Sequence, residues 1–213
     1  MRKRIFLLPI FILTISLLYC HITLAESSKN YLKGKFYSSV KNHFLVASKK
    51  MKDERFKKTV IAMLENDENG AWGFVINKPL GSTPLALLLD PSKNTSEERE
   101  KLYKIEVPIF WGGPVDTNKV FVLHSQEYMS ETTKKFGIIS ISKGYKILAD
   151  IAKNKGPKEK LIILGYSGWG DGQLEGEMER DDWVLSNFDF DIIFKKKPNE
   201  KWKLAFNNSF IKI

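Results

Sequence analysis

The 213-residue chain has little of what many catalytic and metal-binding proteins use. Its single cysteine, Cys20, excludes an intramolecular disulfide framework and any zinc site built on paired thiols. Its three histidines, His21, His43 and His124, have no second histidine three or four residues away, the spacing that places two metal ligands on one helix face. We therefore predict that the protein holds no metal and no cofactor.

Arginine is also scarce, because only five of the 34 basic residues are arginine. The chain has 25 acidic residues and a formal charge of +9, and ten of its basic residues lie between Lys29 and Lys58. Base-specific recognition of DNA relies on bidentate arginine contacts, so this lysine bias favours a solvated surface. We expect no specific nucleic-acid binding, while loose contact with an anionic membrane surface stays open.

The N-terminus has the pattern of a secretory signal peptide. Three basic residues (2–4) precede an apolar run from Ile5 to about Tyr19, and small residues end at Ala25. The run is shorter than the roughly 20 residues of a spanning helix. We therefore predict a signal peptide over residues 1–25, cleavage after Ala25 and a periplasmic or exported protein. An uncleaved anchor in the inner membrane is the alternative, and a non-functional signal would leave the protein cytoplasmic.

Cleavage would change the composition of the mature chain. It removes three basic residues and no acidic one, so the formal charge falls to +6, and it removes Cys20. A chain without thiols suits an oxidising compartment. A lipid-carrying Cys20 is disfavoured, because the bulky Tyr19 stands where lipoprotein processing requires a small residue.

Residues 26–213 predict a single α+β domain without internal repeats. The predicted strands are 43–48, 59–65, 72–77, 107–111, 120–124, 137–141, 161–164, 191–194 and 202–206. We expect 59–65 to form a hairpin with 72–77, and 191–194 with 202–206. Predicted helices are 85–89, capped by residues 82–84, then a helix from a Ser142 cap to 156, and 173–183; 92–104 is a surface loop or a solvated helix. Residues 137–165 predict a parallel βαβ unit.

The segment 165–177 contains five glycines after a predicted strand and before a predicted helix. Such a loop can bind phosphate, but no Gly-Lys-Ser/Thr follows, and the incoming helix is acidic, so nucleotide binding is disfavoured. Two interpretations remain open. The glycines allow close backbone packing with Tyr166 and Trp169 buried, or Trp169, Gln173 and Glu177 face a ligand in a cleft.

Two other segments carry candidate functional groups. His124 ends a strand after Gly112-Gly113-Pro114 and could act as a general base, although a lone histidine beside an apolar strand is more often structural. Asn77, which precedes Lys78 and Pro79, ends another strand. That segment could hold an acidic partner, or it is a turn with a solvated lysine.

Three motifs resemble the YqgE/AlgH family of bacterial proteins: 69–79, then 111–115 with 121–124, and 165–175 with Trp183. The resemblance implies an α+β fold built on a coiled, bifurcated mixed sheet. It implies little chemistry, since the family label of transcriptional regulator comes from an alginate-linked member. Asn66 follows Glu65 where the family commonly has histidine, and the export signal conflicts with a role at a promoter.

Three functional hypotheses follow from these residues. The first is a non-catalytic binding or interaction protein with an unknown protein or small-molecule partner. The second is a hydrolase that uses His124 with Glu175 or Glu177 as an acid/base pair. The third is a cytoplasmic transcriptional regulator, as the family label suggests. The candidate ligand-binding residues are Asn77, Gly112, Gly113, His124, Trp169, Gln173, Glu175 and Glu177.

Overall fold

A computed structural model describes residues 40–67, 70–93 and 95–209 of the chain. The predicted signal peptide and Cys20 lie outside the described residues. The strands are β1 (His43–Ala47), β2 (Val60–Asp67), β3 (Gly70–Val75), β4 (Pro79–Pro84), β5 (Glu106–Trp111), β6 (Val115–His124), β7 (Lys134–Phe136), β8 (Ile139–Lys143), β9 (Lys160–Trp169) and β10 (Trp183–Asn187). The helices are α1 (Ser96–Tyr103), α2 (Tyr145–Ala152), α3 (Gln173–Glu179), α4 (Phe190–Phe194) and α5 (Pro198–Asn207).

The strands form one mixed sheet that branches at β9. Eight strands follow the order β10-β1-β2-β3-β9-β6-β8-β7, and every neighbouring pair in this path is antiparallel. Residues 162–164 of β9 pair in parallel with β5, which pairs with β4, whereas residues 167–169 pair with β3. The predicted α+β domain with a bifurcated mixed sheet is confirmed.

Gly112 and Gly113 allow the sheet to branch, because the chain passes β9 there at very short range. A Cβ on Gly112 would lie 2.3 Å from the Gly165 carbonyl oxygen. A Cβ on Gly113, whose φ is +146°, would lie 2.3 Å from the Ser167 nitrogen. Gly112 also donates its N–H to Leu164 O, 2.8 Å away. Only glycine fits such backbone contacts without strain.

The sheet curls, so the strand at one end, β7, approaches β3 in the middle of the sheet. The ring of Phe136 on β7 lies 6.2 Å from that of Trp72 on β3, although three strands separate β7 from β3 in the sheet. The inside of the curl holds the main apolar core, which includes Phe44, Phe74 and Ile163. The curled sheet thus encloses its core in the manner of a partly closed barrel.

The predicted βαβ unit is present in a modified form. β8 and β9 are parallel and joined by α2, but both pair antiparallel with β6, which lies between them. The helix also starts later than predicted, since Gly144, with a φ of +87°, precedes it. Ser142 is fully buried within β8 and caps no helix.

The predicted C-terminal hairpin is wrong, because 191–194 and 202–206 lie in helices α4 and α5. Asp189 caps α4 by accepting a hydrogen bond from Ile192 N at 2.9 Å, and Pro198 occupies the first turn of α5. Both residues are helix-start signals. These local signals outweigh the strand propensity of the aromatic and branched side chains.

Smaller differences concern the ends of elements. Helix 173–183 ends at Glu179, and Trp183 begins strand β10. Residues 82–84 belong to β4, and the helix after them is a short 3-10 turn, Leu85–Leu88. Of the two alternatives for residues 92–104, a surface loop or a solvated helix, the structure shows a helix, α1. It begins at a capping box formed by Thr95 and Glu98.

Candidate functional site

The candidate site is a groove on one face of the C-terminal half of β9. Side chains alternate along a strand, so Ser167 and Trp169 project to the face opposite Tyr166. We call the groove of about 780 Å³ on this face the Trp169 groove. Its lining residues are Lys50, Met51, Lys52, Asp53, Arg55, Phe56, Pro114, Ser167, Gly168, Trp169, Gln173, Glu177, Arg180, Asp182 and Trp183.

The carboxylate of Glu177 organises the wall of this groove. Its Oε2 accepts hydrogen bonds from the indole N–H groups of Trp169, at 2.9 Å, and Trp183, at 2.8 Å. Its Oε1 accepts from Gln173 Nε2 at 3.1 Å. The two indole rings are nearly perpendicular, with centroids 6.1 Å apart. The two rings, 7% and 1% exposed, are therefore fixed in one orientation as a mostly buried base of the groove.

Helix α3 brings Gln173 and Glu177 to the groove. Gly172, with a φ of +72°, turns the chain from β9 into the helix. Gln173 and Glu177 are four residues apart and so lie on one helix face. Leu174 and Met178 are fully buried on the other side. The structure thus brings Trp169, Gln173 and Glu177 together along one groove, and their contact with a ligand stays a prediction.

The rim of the groove is charged, but most of its charges are paired. Arg55 forms a bidentate ion pair with Asp53, and the closest N···O distance is 2.6 Å. Arg180 Nε lies 3.2 Å from Asp182 Oδ2, and Lys50 pairs with Asp181 at 2.7 Å. Hydrogen bonding from Arg55 lowers the pKa of Asp53. Among the described residues, the ammonium group of Lys52 has no hydrogen-bond or ion-pair partner.

Glu175 lies on the same helix but outside the groove lining. Its side chain is 6% exposed, and within the described residues neither carboxylate oxygen has a hydrogen-bond partner. Burial, together with the smaller effect of the nearby charges of Asp171 and Glu179, raises its pKa to about 7. Glu175 is a buried acid that carries its proton up to about neutral pH.

His124 lies far from the groove and is fully buried. It pairs with Lys160 at the start of β9, whereas the groove follows the last residues of that strand, roughly 30 Å of extended chain away. Its Nδ1 donates to Ser125 O at 2.7 Å, and its Nε2 accepts from Ser142 Oγ at 2.9 Å. Burial lowers its pKa. The structure therefore separates His124 from Glu175 and Glu177, which removes the predicted acid/base pair.

The remaining candidate residues make contacts with backbone groups of neighbouring segments. Asn77 is buried, accepts from Val60 N and donates to Lys58 O, both at 2.8 Å. Lys78 donates to Lys57 O at 2.9 Å, so it is not a free cation. Gly112 and Gly113 form the branch point beneath Ser167, whose hydroxyl donates to Gly112 O. These contacts favour structural roles for all four residues.

Sequence reasoning missed part of the groove. Phe56 packs against Trp183 with ring centroids 5.7 Å apart, and Trp183 itself was predicted to lie in a helix. In the sequence, residues 50–56 resemble part of a solvated lysine-rich stretch, and only their long-range packing places them in the groove.

Within the described ranges, no group of three or more His, Cys, Asp or Glu side chains could hold a metal ion. No helix there is long and apolar enough to cross a membrane.

Comparisons with known proteins identify relatives over most of the chain. The model of the AlgH-like family matches residues 44–213. The chain is 37% identical over 180 residues to the UPF0301 protein AlgH of Pseudomonas aeruginosa, which covers 84% of this chain and 89% of that protein. It is 34% identical over 175 residues to a UPF0301 protein of Methylococcus capsulatus, covering 81% and 93%.

Solved structures agree with this assignment. The solution structure of AlgH from Pseudomonas aeruginosa matches with a TM-score of 0.67 and 35% identity over 80% of this chain and 90% of that one. A crystal structure from Corynebacterium diphtheriae, 15% identical with a TM-score of 0.57 over 78% and 84% of the two chains, shares the fold. This chain belongs to the AlgH-like family.

Proposed function

We propose that the protein is a non-catalytic binding protein that holds an extended polypeptide segment of a partner in the Trp169 groove. The observation that carries this proposal is the double hydrogen bond of Glu177 to Trp169 and Trp183. The two indole rings, 7% and 1% exposed, form a rigid and mostly buried base beneath the groove before any ligand arrives. A preorganised base of this kind lowers the conformational entropy that is lost when a partner segment binds.

The charges of the groove favour a polypeptide over a polyphosphate. Its lining carries four basic side chains and three acidic ones, and Lys50, Arg55 and Arg180 are each bonded to a carboxylate. Proteins bind phosphate backbones with free lysine and arginine side chains, which release the counterions of the phosphates. A cation that is already paired with a carboxylate is poorly suited to that role. Paired charges around an apolar floor instead match the polar rim and apolar centre of a protein interface.

The position of the groove's polar groups supports binding rather than chemistry. Glu177 is the groove acid closest to the tryptophans, and both of its oxygens already accept hydrogen bonds from protein groups. The buried histidine of the described residues, His124, lies at the other end of β9. A nucleophile and a base within hydrogen-bond reach define most acyl-transfer sites, and this groove lacks such a pair among its described lining residues.

A photo-crosslinking experiment tests the groove directly. We would replace Lys52 in the full-length protein with p-benzoylphenylalanine and irradiate living cells. We expect one discrete adduct, which mass spectrometry maps to a single stretch of the partner. A synthetic peptide of that stretch should bind the purified protein saturably. Lys155, an exposed lysine three residues past α2, provides the matched control position and should give no adduct.

A second variant keeps the experiment specific to the groove. Gln173 is exposed, so Gln173→Trp places a bulky ring in the groove without changing a core residue, and this obstruction should abolish the Lys52 adduct. If Lys52 gives no adduct, or if Lys155 gives the same one, the proposed function is wrong. Retention of the adduct in the Gln173→Trp protein also contradicts it.

We further propose that the protein acts outside the cytoplasm, as its N-terminal sequence indicates. The basic residues 2–4, the apolar run and the small residues ending at Ala25 support this proposal. N-terminal sequencing of the protein from separated cell fractions tests it. A mature chain that starts at Glu26 in the periplasmic fraction is expected, and an intact Met1 start in the cytoplasmic fraction would overturn the proposal.

A further inference from the structure

A second groove lies on the opposite face of β9 from the Trp169 groove. It has a volume of about 960 Å³, and we call it the Trp72 groove. Volumes of roughly 300–1,000 Å³ are typical of small-molecule sites, which often lie at the mouth of a barrel. The curl of the sheet places this groove at such a mouth, between β3 and the strands that return toward it.

Strand register places the groove's side chains on one face. Glu65 pairs with Trp72, and Trp72 pairs with Gly168, so these three positions share a face. Tyr166 is two residues from Gly168 on β9 and projects the same way. Phe121 contacts Tyr166 with ring centroids 6.3 Å apart, and it pairs with Lys143 on β8. The face thus runs from Glu65 through three aromatic rings to Lys143.

The floor of the groove is aromatic and held in place. Trp72 meets Tyr166 edge to face, with centroids 5.9 Å apart and an interplanar angle of 76°. The indole N–H of Trp72 donates to Glu65 Oε2 at 2.6 Å, which fixes the ring. Trp72, Phe121 and Tyr166 are each only partly buried, so they retain surface for a ligand. Edge-to-face and offset-stacked contacts of this kind select a planar aromatic ring.

The rim offers unused hydrogen-bond donors. Lys119 pairs with Asp116 at 2.6 Å, so these two charges satisfy one another. In the described part of the chain, the Lys143 ammonium and the Tyr166 hydroxyl have no hydrogen-bond or ion-pair partner. The Lys143 backbone is held by Thr132, whose hydroxyl donates to Lys143 O at 2.8 Å. A cation and a hydroxyl donor beside an aromatic floor complement an anionic group attached to a ring.

We infer that the Trp72 groove binds a small molecule that combines a planar aromatic ring with one anionic group. The ring packs against Trp72 and Tyr166, and the anionic group receives hydrogen bonds from Lys143 and the Tyr166 hydroxyl. Carboxylate and sulfonate groups share this chemistry. The two grooves share Gly168 and Trp169 in their linings, but Trp72, Tyr166 and Lys143, which contact the aromatic anion, line only the Trp72 groove. The inference is therefore tested independently of the proposed polypeptide partner.

The probe for this site is 1-naphthoate, titrated into ¹⁵N-labelled protein and followed by NMR. We expect saturable shifts of the Trp72 indole N–H signal, while the Trp183 signal on the other face stays in place. The uncharged 1-naphthamide and the non-aromatic cyclohexanecarboxylate should both bind more weakly. Binding of an aromatic anion with preference over both analogues is the result that the inference requires.

Two variants assign the contacts. Lys143 is exposed, so Lys143→Met should fold normally and weaken 1-naphthoate binding about threefold to fivefold, the size expected for an exposed charged contact. The same change at Lys155, outside the groove, should leave affinity unchanged. The inference is wrong if 1-naphthoate causes no saturable shift at millimolar concentration. Equal binding of 1-naphthamide, or equal affinity of the Lys143→Met and Lys155→Met proteins, also contradicts it.

Discussion

Trp169 and Trp183 donate their indole N–H groups to the same oxygen atom, Glu177 Oε2, at 2.9 and 2.8 Å. One residue ends β9 and the other begins β10, strands that do not pair with each other. Glu177 on α3 therefore joins two distant parts of the sheet. Both tryptophans are mostly buried, with 7% and 1% of their surface exposed, so their N–H groups have little access to water.

This arrangement predicts a large cost for Glu177→Ala. The substitution leaves two indole N–H groups without their acceptor, and an unsatisfied buried donor costs about 1–3 kcal/mol. We expect the free energy of unfolding in urea to fall by about that amount. Glu179 on the same helix is exposed, and Glu179→Ala, the matched control, should change stability by less than about 0.5 kcal/mol. Equal effects of the two substitutions would contradict the role given to Glu177.

The branch point of the sheet gives a second prediction. Gly112→Ala places a methyl group 2.3 Å from the Gly165 carbonyl and 2.4 Å from Ile163 Cγ2, so the backbone must shift. We expect a loss of stability of about 3 kcal/mol or more, or failure to fold, because overpacking at a backbone contact cannot relax. Gly170 has open space around it, and Gly170→Ala should be tolerated. Thermal unfolding of the two purified variants makes the comparison.

Some of this architecture was predictable from sequence because the signals are local. The β2–β3 hairpin is flagged by the polar turn between two apolar runs, and the strand–helix–strand order of residues 139–169 follows from periodicity. The grouping of Gln173 with Glu177 needs only their four-residue spacing on a helix. Each of these features depends on neighbours within a few residues.

Other parts depend on contacts between distant segments. The glycine-rich residues 165–169 extend β9, because pairing with β3 and β6 holds them in a strand despite their low strand propensity. The insertion of β6 between β8 and β9 is a matter of sheet order, which periodicity does not encode. Residues 50–56 reach the Trp169 groove through packing of Phe56 on Trp111 and Trp183. The sequence alone therefore located one wall of the groove and missed the other.

The raised pKa of Glu175 predicts that the free energy of unfolding depends on pH. Its pKa is about 7 in the folded protein against an ordinary 4.5, so between these values the folded state binds more protons than the unfolded state. The contribution of Glu175 therefore becomes less favourable as pH rises from about 4.5, and its full cost, on the order of 3 kcal/mol, is present above pH 7. Glu175→Gln removes this ionisation.

The difference between the Glu175→Gln and wild-type proteins isolates this contribution from other titrating groups. Urea unfolding at pH 5 and pH 8 should show the variant gaining stability relative to wild type at the higher pH. Glu100→Gln, at an exposed position on α1 whose charge does not act on Glu175, provides the control and should show a much smaller pH-dependent difference. A Glu175→Gln difference that is the same at both pH values would show that Glu175 ionises normally in the folded protein.

We expect that replacement of Lys201, a buried cation on α5, destabilises the protein. Its side chain is 2% exposed, and Nζ donates to Ile193 O at 2.6 Å and to Ile76 O at 3.0 Å, which ties α5 to the end of α4 and to the segment after β3. Lys201→Met keeps the packed volume but leaves both carbonyls without this donor, so we expect a loss of about 1–3 kcal/mol. Lys203→Met, at an exposed position on the same helix, should be close to neutral.

The lowered pKa of Lys201 also predicts how the stability of the protein changes with pH. Burial lowers it to about 8 from an ordinary 10.5, so between pH 8 and 10.5 the unfolded state binds more protons than the folded state. The wild-type protein should therefore gain stability from Lys201 as pH rises through this range, and the Lys201→Met protein should lack that gain. Urea unfolding of the two proteins at pH 7.5 and pH 10 measures it, and parallel changes in both would show that Lys201 titrates as an exposed lysine does.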